Sequence, residues 1–374
     1  MGRAMLRLSR LIKLLPGVFM LGALGAGLLL SLLNPATGEA PGEGELLSGE
    51  LAASYQANYE REIPVRQAAV RVLGLVRYLL FREGLEGVLV GSDGWLFSTE
   101  EFSRRPGEEQ AVAENLEYVR AVRDSLLSQG IELVVALVPA KARVYEDRLG
   151  RYVLPDYVRP RYRDFRRRLL DLGICTPDLL AALLEARRRA EVFLRTDTHW
   201  SPFGARTAAQ ALAACARRTL KEKGVQPVPY DQQLIGTRLI HGDLTGFIPL
   251  GEQRGPLGPR PDLVAEMEMV AANDRGLGLF DDPDIPVALI GSSYSAGRLW
   301  NFVGALKQAL EADVLNVAAE GQGPFLPMQA YLASDTFREI TPRLIIWEIP
   351  ERCLPVSYSL SAPAAGRGED RNQS

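Results

Sequence analysis

The sequence predicts an α/β protein built around a mostly parallel sheet. Three short apolar runs, at 131–138 (IELVVALV), 287–290 (VALI) and 344–349 (LIIWEI), have the character of strands buried on both faces. Segments of helical period fall between or beside them, at 114–128, about 166–189, 203–223 and 298–311. A chain of 374 residues, 47% of them hydrophobic, can bury one large core or two small ones.

The N-terminus has a different composition. Arg3, Arg7, Arg10 and Lys13 precede an uncharged stretch over 14–33, about the ~20 residues a helix needs to cross a bilayer. A single anchor over 1–34 is expected. Its basic flank belongs on the cytoplasmic side, which places the rest of the chain outside the inner membrane. A cleaved signal peptide is the competing reading, because Pro16 and several glycines interrupt the run. Residues 35–53 mix Gly, Pro, Ala and Glu without period and read as a linker. Val65, Ala69, Val72, Leu73, Val76 and Leu80 then recur at helical spacing, so an amphipathic helix over 65–81 completes a juxtamembrane segment over 35–84.

The main domain is expected over 85–360. It opens on VLVGSDGWLFS, where Asp93-Gly94 between two β-prone runs predicts a hairpin. Further strands are expected at 192–194 and 314–317. The basic run Arg159, Arg161, Arg163, Arg166, Arg167 and Arg168 reads as a solvated helix face rather than a polyanion site. No internal repeat is found. The tail over 361–374 has the composition of a disordered segment.

The overall balance of 43 basic and 46 acidic residues gives a net charge of -3, so no global field gathers nucleic acid. Cys175, Cys215 and Cys353 are too few and scattered for a disulfide scaffold or a zinc motif. Either a Cys175–Cys215 bridge in an oxidising compartment or three buried thiols satisfies the pattern.

Only two histidines are present, His199 and His241, which narrows the search for a base working near neutral pH. His199 lies in FLRTDTHWSPFGA, between the predicted strand at 192–194 and a helix whose start is marked by Ser201 as N-cap and Pro202 at its first position. Asp197 and His199 thus fall on a loop at the carboxyl end of a strand, the edge where open α/β sheets bind ligands. A carboxylate two residues from an imidazole can orient one ring nitrogen and leave the other for a nucleophile. A turn cap and a structural hydrogen bond would account for the same two letters. No further His or Cys lies near enough in sequence to suggest a metal site, and no cofactor is expected. The nucleophile candidate is in VALIGSSYSAGRLW, where a buried strand ends in Gly291, Ser292 and Ser293 and leads towards a helix. A serine just past a strand end can present its hydroxyl at the sheet edge, and Ser293 is preferred to Ser292 and Ser295.

Taken together over about residues 85–355, GSDGWLF, TDTHWSPFGA, GSSYS and WEIPER resemble the alginate O-acetyltransferase family of SGNH-hydrolase-like proteins. A single apolar N-terminal segment and no evident extra carbohydrate-binding domain bring the chain closer to the family's membrane-anchored type than to its secreted type. The resemblance implies a three-layer α/β/α sandwich with the motifs in circularly permuted order, since Asp197 and His199 precede Ser293. It implies a catalytic triad of Ser293, His199 and Asp197. Gly321, in DVLNVAAEGQGPF, falls where a backbone N–H helps form the oxyanion hole. Two departures stand out: Ser292 occupies a position commonly held by Asp, and Arg352 falls near the oxyanion-hole Asn. The Arg352 guanidinium therefore either stabilises the oxyanion, grips a sugar carboxylate or forms an ordinary ion pair. His241, in HGDLTGF, matches part of the family pattern but has no Asp two residues before it and is given no catalytic role.

The implied activity is O-acetylation of an exopolysaccharide in the periplasm through an acetyl-serine intermediate. The expected partners are the polysaccharide acceptor and a membrane-embedded acyltransferase as acetyl donor. A polysaccharide acetylesterase with the same triad and a non-catalytic polysaccharide-binding or assembly protein are the alternatives.

Overall fold

Four parallel strands, in sheet order Glu132–Val138, Leu344–Pro350, Val287–Ile290 and Val314–Asn316, form the centre of the fold in the computed structural model, which describes residues 72–248, 258–272 and 284–361 together with 21, 22, 25 and 363. Two compact units divide the chain, residues 1–85 with 248–258, and residues 86–247 with 259–374. In the first, the predicted helix over 65–81 is described from residue 72, and its end winds as a π-helix over Arg77–Phe81 before Arg82 turns left-handed at φ 52°. The predicted linker, and all but three residues of the predicted anchor, lie outside the described residues. No helix among the described residues is long and apolar enough to cross a membrane. The predicted tail is described only at 361 and 363.

The second unit opens with the expected hairpin, β1 (Val88–Val90) against β2 (Leu96–Ser98), with Asp93 at φ 54° and Gly94 at φ 79° in its turn. The chain continues through α1 (Glu108–Ser128), β3 (Glu132–Val138), α2 (Lys141–Val144), α3 (Arg161–Asp171), α4 (Leu179–Ala186) and α5 (Pro202–Glu222). A long antiparallel pair follows, β4 (Tyr230–Ile240) and β5 (Asp262–Ala271). The remaining elements are β6 (Val287–Ile290), α6 (Ser293–Ala296), α7 (Phe302–Leu310), β7 (Val314–Asn316), α8 (Phe325–Ala333), α9 (Asp335–Glu339) and β8 (Leu344–Pro350).

Successive side chains of a strand point to opposite faces, and both faces here are buried. On one face Val134, Ala136, Leu289 and Ile346 pack with Leu183 of α4, Ala208 and Leu212 of α5 and Leu306 of α7. On the other, Val135, Leu137, Ile345 and Trp347 pack with Val119 and Val122 of α1, Phe165 of α3 and Met328 of α8. The result is the three-layer α/β/α sandwich.

Four expectations need correction. The helix expected over 166–189 is two helices: Gly173 is left-handed at φ 77°, Cys175 bridges to Val134 at the sheet edge, and Asp178 caps α4 by accepting from Ala181 N at 3.1 Å. The segment at 192–194 does not join the central sheet, and Phe193 instead bridges Trp200 within a tight loop. The helix expected from 298 begins at Phe302, after left-handed Asn301. The basic run is the expected solvated surface at Arg159, Arg163, Arg167 and Arg168, but Arg161 is buried against Glu108 at 3.4 Å. Cys175 and Cys215 are joined in a disulfide that ties the sheet edge to α5.

Candidate active site

Two loops at the carboxyl edge of the sheet build the site. The first leaves β6, whose four residues are all buried. It passes through Gly291, where a Cβ would stand 2.5 Å from Glu348 Oε2, so no larger residue fits. Ser292 then caps the short α6, and Ser293 is that helix's first residue, half-buried with its hydroxyl turned to the second loop. Glu348 of β8 lies beneath this turn, fully buried. It accepts from Ser292 N at 2.8 Å and from the Ser292 and Ser295 hydroxyls at 3.0 and 3.1 Å. Burial pushes its carboxyl up to about 7, only partly offset by those hydrogen bonds.

The second loop runs from Val192 to Ser201 and is closed by Leu194 N donating to His199 O at 3.1 Å and Ser201 N to Val192 O at 3.0 Å. Two buried groups, Lys141 and Asp262, and the exposed carboxylate of Asp243 hold its tip. Lys141 Nζ donates to the carbonyls of Leu96, Arg195 and Asp197 at 2.6, 2.9 and 2.9 Å. Burial draws its ammonium down to about 8, against the attraction of Glu101, Asp262 and Asp197. Asp262, from β5, accepts from Arg195 N and Thr196 N at 3.0 Å each and from Thr196 Oγ1 at 2.5 Å. Asp243, in the turn after β4, accepts from Thr198 N at 2.8 Å and from the Thr198 hydroxyl.

So held, the loop brings Asp197, His199 and Ser293 into one chain of hydrogen bonds. Asp197 Oδ1 lies 2.6 Å from His199 Nδ1 and also accepts from His199 N at 2.9 Å, while Oδ2 accepts from Asp243 N at 3.0 Å. His199 Nε2 stands 2.7 Å from Ser293 Oγ. With a proton on Nδ1 facing the carboxylate, Nε2 is free to accept the serine proton. Burial works to raise the Asp197 pKa, yet the His199 ring and the two backbone N–H groups outweigh it and leave the carboxyl below its ordinary value.

Of the other sequence candidates, Gly321 sits in the loop after β7 at φ 75°, with open space where a Cβ would project. Arg352 lies just past β8, its guanidinium 5.7 Å from the ring centre of Tyr294, the residue after Ser293, and 3.6 Å from Glu100. Its buried Nε has no hydrogen-bond partner among the described residues. The sequence reading missed Lys141, Asp243, Asp262, Glu348 and Trp300, whose indole stacks on His199 at 4.3 Å. Glu348 and Trp300 lie within the quoted segments WEIPER and VALIGSSYSAGRLW, and Asp243 lies in the HGDLTGF segment. That segment packs closely on the loop, since a Cβ at Gly242 would lie 2.3 Å from Thr196 O.

Asp197, His199 and Asp243 offer ligand atoms within 4.8 Å of one another. They make a poor metal site as they stand. The direct Asp197–His199 contact of 2.6 Å leaves no room for an ion between those two atoms, and both carboxylates already accept N–H groups.

A serine at the end of β6, opposed by an imidazole and its carboxylate across one edge of a parallel α/β/α sheet, is the arrangement of the SGNH-hydrolase-like class. Residues 88–351 match the family model described as the SGNH hydrolase-like domain of acetyltransferase AlgX, and the chain belongs to that family. It is 44% identical over 320 residues to the probable alginate O-acetylase AlgJ of Pseudomonas putida, covering 85% of this chain and 83% of that one. To the alginate biosynthesis protein AlgX of Pseudomonas aeruginosa it is 31% identical, over 88% of this chain and 67% of the relative. The likeness is thus greater to the AlgJ type, as the sequence features suggested. Among solved structures, the O-acetyltransferase domain of Pseudomonas putida AlgJ superposes with a TM-score of 0.66 at 42% identity, over 73% of this chain and 94% of that domain.

Proposed function

We propose that the protein O-acetylates an exopolysaccharide, alginate or a polymer like it, on the periplasmic face of the inner membrane, with Ser293 as nucleophile. The observation that carries this reading is the unbroken path from the Asp197 carboxylate through His199 to Ser293 Oγ, with contacts of 2.6 and 2.7 Å. The names and activity of the AlgJ relatives supply the acyl group and the acceptor class.

His199 Nε2 takes the Ser293 proton as Oγ attacks the carbonyl carbon of an acetyl ester, and the imidazolium is balanced by Asp197. The C–O bond to the donor alcohol then breaks, and His199 returns the proton to that alcohol. A sugar hydroxyl next attacks acetyl-Ser293, gives its proton to His199, and leaves as the acetyl ester while Ser293 recovers its hydrogen. The backbone N–H groups of the Ser293 turn and of Gly321 are assigned to the oxyanion. Arg352 belongs to the same reading, as an oxyanion donor or a grip on a uronate carboxylate. The donor is assigned to a membrane-embedded acyltransferase, and the stretch over 14–33 to the anchor that keeps the domain beside it.

Incubating the purified protein with a small acetyl ester and uronate oligomers tests the assignment. Acetyl groups should appear on the oligomers, and Ser293→Ala should reduce transfer by ~10³-fold or more. Release of free acetate alone, undiminished by acceptor, would instead make the protein an esterase.

A further inference from the structure

We infer that Trp300 is a positioning residue for the reaction, its indole face holding the His199 ring in plane and stabilising the charged imidazolium formed in each half-reaction. The inference rests on the triad reading above. The two rings are nearly parallel, 12° apart, with centres 4.3 Å apart. The face of an indole carries negative quadrupole density, so it attracts a cation lying over it more than a neutral ring. The preference adds to the barrier reduction because His199 is charged only after it has taken the serine or sugar proton.

Trp300 is fixed where it is needed. Its Nε1 donates to Tyr294 O at 2.6 Å, and the indole is buried in the core. A Cβ at Gly297 would lie 2.0 Å from Trp300 Cζ2, so the residue beneath the indole must be glycine for the ring to fold back. The same turn of chain thus delivers Ser293 to one ring nitrogen of His199 and Trp300 to its face.

The other groups around His199 set the background against which this acts. Asp197 is on Nδ1 at 2.6 Å, and Asp243 Oδ2 stands 3.8 Å from the same nitrogen. The Tyr294 ring is tilted against the imidazole at 4.7 Å. Lys141 reaches the carbonyl of Asp197, and Arg352 lies over the Tyr294 ring. All of these remain when Trp300 is changed, so a shift on substitution reports the indole.

Because the chain has only two histidines, their ring C–H signals can be followed directly by NMR on the full-length protein with isotope-labelled histidine, H241Q identifying the second signal. Relative to wild type, W300L should move the midpoint of the His199 titration down by about 0.5 pH unit, while W300F, which keeps an aromatic face, should recover most of it. The acid limb of kcat/KM for a small acetyl ester should move in the same direction, with little change in KM. G297A, which displaces the indole without removing it, should mimic W300L and serves where W300L folds poorly. An unmoved His199 midpoint in W300L and G297A, or equal shifts in W300F and W300L, would overturn the inference. The NMR midpoint is read without turnover, so failure of the triad reading, seen as activity surviving S293A, stays distinguishable.

Discussion

Arg352 shows how one buried side chain can separate two mechanisms. Its guanidinium lies over the Tyr294 ring beside Ser293, 3.6 Å from Glu100, with its Nε unpartnered among the described residues. If the guanidinium grips uronate carboxylates, Arg352→Ala should weaken transfer to anionic oligomers while sparing turnover of a small uncharged acetyl ester. If it donates to the oxyanion, both reactions should fall together by about 10²–10³-fold, as when one oxyanion donor is lost. Steady-state rates of the two reactions side by side distinguish them, and no loss in either would reduce Arg352 to its ion pair with Glu100.

At the scale of elements, the nucleophile turn depends on β8 as much as on β6. Glu348 reaches across from β8 to bind the two serines that flank Ser293, and its pKa is raised from 4.5 to about 7. An acid with a raised folded-state pKa keeps a proton that the unfolded chain has already lost. Its contribution to stability is therefore complete below its ordinary value and lost as pH rises through about 7. Glu348→Gln should flatten that decline. Its carbonyl can still accept from Ser292 N and Ser295 Oγ, and its amide can donate to Ser292 Oγ. Denaturant midpoints from pH 4.5 to 8 provide the measurement, and an unchanged pH slope in the variant would assign the decline to other groups.

How far these elements were legible depended on where their signal lies. The central strands are continuous apolar runs, and 287–290 was bounded correctly because nothing else in its surroundings competes. The start of α5 was readable because Ser201 and Pro202 carry local capping chemistry. The β4–β5 pair went unseen: YDQQLIGTRLI lacks clean alternation, and its partner begins about twenty residues later across a register shift at Leu234/Gly236. The same holds at the site. Asp197, His199 and Ser293 sit in turns with local signatures, whereas Lys141 and Asp262 lie 56 and 67 positions from the loop residues they support. Such long-range placement leaves no local trace in a single sequence.

For the whole molecule, topology decides whether the chemistry meets its substrate. The basic flank at residues 3–13, followed by the apolar stretch over 14–33, predicts a protein retained in the membrane fraction with its C-terminus outside the cytoplasm. A C-terminal tag on intact spheroplasts should therefore be cleaved by added protease. A mature N-terminus at Gly38 or beyond would replace the anchor with a removed signal, and a protected tag would reverse the orientation.

On the proposed mechanism the acetyl group passes through Ser293. The most direct measurement of this step is rapid acid quenching of the protein with a small acetyl ester and no acceptor, followed by peptide mass mapping. One acetyl group is expected on the peptide containing Ser293, absent in Ser293→Ala, strongly reduced in His199→Ala, and discharged when uronate oligomers are added before the quench. Acetylation at another residue that is kinetically competent for transfer, or transfer that persists at the wild-type rate in Ser293→Ala, would contradict it.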